Sequence, residues 1–84
     1  MKKVKIGKIT FQVYEEQDGL SFYPNSKDDS IKMLRMGANP VVDMIMAELN
    51  LKFGRNRFFY RNSGKSIDEG MKFKLNASKL LDQL

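Results

Sequence analysis

Eighty-four residues bound this chain to one domain, 1–84, with a thin core, because a chain of this size buries only roughly 60–65% of the surface its unfolded form exposes. With no Cys and no His, it is without disulfides, thiolate nucleophiles, imidazole bases and the usual zinc sites. The net charge of +5 is uneven: residues 1–8 carry +4, residues 9–48 hold three cations against seven acids, residues 49–65 carry +5, and residues 66–84 balance. Such asymmetry points to a polyanionic partner.

The start, MKKVKIGK, is basic, but no apolar run of signal-peptide length follows. No segment approaches the ~18–20 apolar residues of a membrane span. The expectation is a cytoplasmic protein with no membrane partner. Homodimerisation is a natural supplement for so thin a core.

Val4 and Ile6 alternate with Lys3 and Lys5, and the apolar parity then shifts to Ile9, Phe11 and Val13. This predicts one long first strand with a bulge or bend at Gly7. Asp18-Gly19 signals a hairpin turn, Leu20 to Tyr23 the return strand, and Pro24 its end. Asp28, Asp29 or Ser30 would cap a short helix over 30–36 that holds Ile31, Met33, Leu34 and Met36 and ends at Gly37. Asn39 as N-cap and Pro40 at the first helical position open a second helix over 40–52. Val41, Val42, Met44, Ile45, Met46, Ala47 and Leu49 make it apolar around most of its circumference, so it is expected to be the most buried element. Gly54 ends it.

Arg57 to Arg61 read as a third strand, and Asn62 to Ser66 as a loop. Met71, Phe73 and Leu75, alternating with Lys72 and Lys74, give a fourth strand. Asn76-Ala77-Ser78 caps a last helix over 77–83. The predicted fold is α+β: a small antiparallel sheet of about four strands with helices on one face, in the order β-β-α-α-β-β-α.

The chemistry is concentrated after the second helix. From Lys52 to Lys65 there are five cations and no acid, interleaved with Phe53, Phe58, Phe59 and Tyr60. Period-two geometry extends the pattern. With helices on one face, the other face receives Lys3, Lys5, Thr10, Gln12, Tyr14, Tyr23, Arg57, Phe59, Arg61, Lys72 and Lys74, almost without acid. Open sheets so lined bind single-stranded DNA or RNA by stacking bases on rings and pairing phosphates with cations. The candidate nucleic-acid-binding residues are therefore Lys52, Arg55, Arg57, Phe59, Arg61, Lys65, Lys72, Lys74, Tyr14 and Tyr23.

Each has an ordinary reading beside it. Consecutive aromatics fill both sides of a buried strand, Tyr14 and Tyr23 support a hairpin as a cross-strand pair, and lysines on exposed strands serve solubility. The alternative function is a small protein-interaction module, such as a phage or mobile-element regulator or inhibitor that binds a host protein. Its motivation is the cluster Met33, Met36, Met44 and Met46, since flexible methionines form adaptable surfaces.

No enzyme, metal or cofactor is expected: the acids Glu15, Glu16, Asp18, Asp28, Asp29, Asp68 and Glu69 fall mostly in turns or at caps, and no spacing specifies a site. Gly64-Lys65-Ser66 invites a phosphate-loop reading, but the pattern needs Gly five residues earlier, where Phe59 stands. The stretch KFGRNRFFY loosely resembles an RNA-recognition-motif strand, yet the order basic, Gly, aromatic, small, aromatic is absent and the element order differs.

Overall fold

The parity shift at Gly7 marks a hairpin rather than a bend. In the computed structural model, which describes residues 1–62, 64–74 and 84, Lys2–Ile6 (β1) and Ile9–Glu16 (β2) pair antiparallel, with Ile6 opposite Ile9. Gly7 has φ +61° and Lys8 does not share the positive φ, as a type II′ turn requires. Gly19–Pro24 (β3) returns after the two-residue turn Gln17-Asp18, so Gly19 opens the strand instead of lying in the turn. A Cβ on Gly19 would overlap the Phe73 carbonyl oxygen of the neighbouring strand.

Helix α1, Lys27–Met36, begins before residue 30, and none of Asp28, Asp29 or Ser30 is its cap. Ser26 is: its Oγ accepts the Asp29 N–H at 3.1 Å and donates to Asp29 Oδ2 at 2.7 Å. Helix α2, Ala38–Phe53, also starts early. Gly37, at φ +89°, both ends α1 by donating to the Met33 carbonyl at 3.0 Å and precedes α2. Asn39 is therefore the exposed second residue of α2, not its N-cap, and no side chain caps this end. Pro40 costs no bond there, because the first four helical N–H groups lack intrahelical partners.

The burial of α2 is narrower than its composition predicts. Val41, Ile45 and Leu49 form the buried stripe, flanked by half-buried residues, while Ala47 and Leu51 are exposed. Only the side turned to the sheet is covered.

Past Gly54, Asn56 adopts φ +63°, a left-handed conformation that Asn tolerates. The expected strand over 57–61 shortens to Phe59–Arg61 (β4). A 3₁₀ turn at Ile67–Glu69 leads into Met71–Lys74 (β5). The described strands form one antiparallel sheet of five, not four, in the order β1-β2-β3-β5-β4. The extra strand is the first one folded in two. The expected helix over 77–83, and Leu75, lie outside the described residues.

Helix α1 packs on β2 and β3, and α2 on β1 and β4. Beneath them runs an aromatic ladder: Phe11 to Phe22 at 5.6 Å, Phe22 to Phe73 at 5.4 Å, and Phe73 to Tyr60 at 5.5 Å between ring centroids. Such pairs add ≈ 0.5–1.5 kcal/mol each beyond their area burial. Of the four clustered methionines, Met33 is buried and Met44 and Met46 pack against the core, leaving Met36 exposed. They serve mainly to fill a thin interior rather than to form a methionine surface. Among the described residues no helix is long and apolar enough to cross a membrane.

Candidate nucleic-acid interface

The pairing register fixes which side chains meet on the sheet face away from the helices. Side chains alternate along a strand, so residues directly opposite share a face. One row runs Lys3, Gln12, Tyr23. The next runs Tyr14, Ser21, Lys72, Arg61. A third runs Glu16, Gly19, Lys74, Phe59. Lys5 and Thr10 pair at the margin. No described element covers this face.

Its relief comes from small residues at the centre and rings on the flanks. Gly19 and Ser21 floor the middle. Tyr14 and Tyr23 meet edge to face at 5.5 Å on one flank. Tyr14 Oη donates to Gln12 Oε1 at 3.4 Å, and Gln12 Nε2 donates to Asn25 Oδ1 at 3.2 Å, a chain that orients the pair. The Tyr23 ring lies against Gly70, whose φ of +119° and closeness to the ring both exclude a side chain. On the other flank Phe59 is 60% exposed, a free apolar ring on an edge strand. Three inter-strand steps of about 4.8 Å separate β2 from β4, so the flanks stand ~14 Å apart, with the cations toward β4.

Three recesses open on this face. One of about 240 Å³ lies over Gly19 beside Arg61, Lys72 and Lys74. Another, about 270 Å³, is formed by Gln12, Tyr14, Glu16 and Tyr23. The third, about 440 Å³, lies between Tyr23, Arg61, Lys65 and Lys72. Lys74 approaches Asp18 at 3.9 Å, a loose surface pair that contributes about 0–1 kcal/mol. Among the described residues Arg61, Lys65 and Lys72 make no ion pair.

The structure thus brings together six of the ten expected residues: Tyr14, Tyr23, Phe59, Arg61, Lys72 and Lys74, with Lys65 at the rim. Arg57 lines none of these recesses. It precedes β4, and its Nη1 donates to the Phe53 carbonyl at 3.4 Å, helping to close the C-terminus of α2. Lys52 and Arg55 likewise stand at that helix end and line none of these recesses.

The face is also less free of acid than expected. Glu16 Oε1 accepts the Ser21 hydroxyl at 2.9 Å, and Glu69 borders the largest recess. Glu16 shares parity with Gln12 and Tyr14, so the sequence carried the signal for it. Gly70 and Glu69 carried none, because their place depends on where β5 inserts. No protein-family profile, curated protein or solved structure matches this chain.

Proposed function

We propose that this protein is a non-catalytic nucleic-acid-binding module of the cytoplasm that takes single-stranded DNA or RNA across its open sheet face. One observation carries the reading: the strand register gathers Tyr14, Tyr23 and Phe59 with Arg61, Lys72 and Lys74 on a face that no described element covers. A strand crossing from β2 to β4 would stack one base at the tyrosine pair and another on Phe59. Its phosphates would lie over Lys72 and Arg61, with Lys74 exchanging Asp18 for phosphate. Stacking on rings tolerates any base, so modest sequence preference follows.

The test is binding to a single-stranded oligonucleotide and to duplex over a range of salt. Phe59→Ala is expected to cost about 1–3 kcal/mol of affinity at unchanged salt slope. It should also leave the melting temperature nearly unchanged, since the ring is mostly exposed. Arg61→Ala is expected to reduce the salt slope by about 1. Absence of oligonucleotide binding by folded protein at low salt overturns the proposal. It leaves the protein-interaction alternative, for which Ile31, Leu34 and Met36 supply exposed apolar side chains on α1.

A further inference from the structure

The corner of the open face between β3, β5 and the loop after β4 carries more charge than an internal phosphate needs. Arg61, Lys65 and Lys72 converge on the 440 Å³ recess, against the single carboxylate of Glu69, leaving a local charge of +2. An internal phosphodiester carries one negative charge, whereas a phosphomonoester carries about −1.5 to −2 at pH 7. The volume falls in the lower part of the ≈ 300–1,000 Å³ range of small-ligand sites. Tyr23 forms one wall, and its ring is seated on Gly70. Asn62 and Lys65, from the loop after β4, complete its lining.

We propose that this recess binds a terminal phosphomonoester nucleotide, with its phosphate among Arg61, Lys65 and Lys72 and its base or ribose against Tyr23. The inference rests on the single-strand reading of the face and adds to it a preference for phosphorylated ends. Lys65 here serves as a point charge on a loop, in a Gly-Lys-Ser sequence that does not form a phosphate loop. Glu69 disfavours a third negative charge and so selects against a di- or triphosphate end.

The experiment compares one oligonucleotide sequence carrying a 5′-hydroxyl, a 5′-phosphate or a 3′-phosphate, together with a mononucleotide and its nucleoside as competitors. A phosphate at one end is expected to tighten binding about tenfold or more, the equivalent of one charge-assisted contact. The difference between 5′ and 3′ reports the direction of the strand. In Lys65→Ala, a change on an exposed loop, phosphorylated and hydroxyl ends should bind alike, whatever affinity both lose. A mononucleotide that competes better than its nucleoside supports the same site for a free ligand.

Equal affinity for all ends, in protein that binds the strand, overturns this inference and leaves the face reading standing. A phosphate preference that survives both Lys65→Ala and Arg61→Ala overturns the location. No binding of any oligonucleotide removes both readings together.

Discussion

At residue 29 a carboxylate occupies a position where a strand would supply a carbonyl. Asn25 still donates to the Thr10 carbonyl at 3.0 Å, but β3 ends at Pro24, and the reciprocal Thr10 N–H is met instead by Asp29 Oδ1 at 2.9 Å. Burial raises the Asp29 pKa, yet the hydrogen bonds from Thr10 and Ser26 and the charges of Lys32 and Lys5 outweigh it, so the net shift is downward from 3.8. Asp68 is lowered too, by the Ser66 and Ser30 hydroxyls, and so ties the 3₁₀ turn to α1.

A folded-state pKa below the unfolded one means that the unfolded chain binds the proton first. The stability from these carboxylates is present above 3.8 and is lost as pH falls through their folded-state pKa values. The urea midpoint of the wild type should therefore fall below about pH 4, and that fall should be shallower in Asp29→Asn. At neutral pH, Asp29→Ala should cost about 1–3 kcal/mol, because it strands a partly buried N–H and removes a capping partner. An unchanged midpoint would mean that water replaces the carboxylate at Thr10.

Among the elements, the two helices differ in how their ends are held. The Ser26 cap of α1 is a side-chain bond, so Ser26→Ala should destabilise by about 0.5–2 kcal/mol. Asn39 looks like the better cap in the sequence, but Gly37 already ends one helix and precedes the next. Asn39→Ala should therefore stay within about ±0.5 kcal/mol, as for other exposed surface positions. Denaturation of the two variants side by side checks the ordering, and a larger loss at Asn39 would place the start of α2 later. Packing of α2 depends on its inner stripe. Ile45→Ala should cost roughly 2–5 kcal/mol by leaving a cavity over the sheet. Thermal unfolding reads this directly.

On the scale of the whole molecule, the described helices pack on one face of the sheet and no described element covers the other, so the fold holds a core and a charged surface back to back. The net charge of +5 by itself attracts any polyanion, and this must be separated from a localised site. Arg61→Glu and Arg55→Glu each change one cation to one acid, taking +5 to +3. If attraction were general, both would weaken oligonucleotide binding equally. Binding across the open face predicts a much larger loss for Arg61→Glu, because Arg61 pairs with Lys72 in the sheet while Arg55 lies in the turn after α2. Titration of both variants at one salt concentration distinguishes the two cases.

The sequence by itself determined the α+β class and the facing of each strand. Alternation is a property of neighbouring residues, so Phe58 and Tyr60 point inward while Phe59 and Arg61 point outward, and Met71 and Phe73 oppose Lys72 and Lys74 in the same way. It also located the break at Gly37, but it read α2 as apolar around most of its circumference where only Val41, Ile45 and Leu49 are buried. It misread Gly7 as a bend, because a parity shift looks the same whether a strand kinks or reverses. Only the tertiary structure decided that β5 lies between β3 and β4. That insertion sets Lys72 beside Ser21 and Arg61 and brings Gly70 under Tyr23. These placements depend on hydrogen bonds between segments distant in the chain, and no local periodicity encodes which strands will pair.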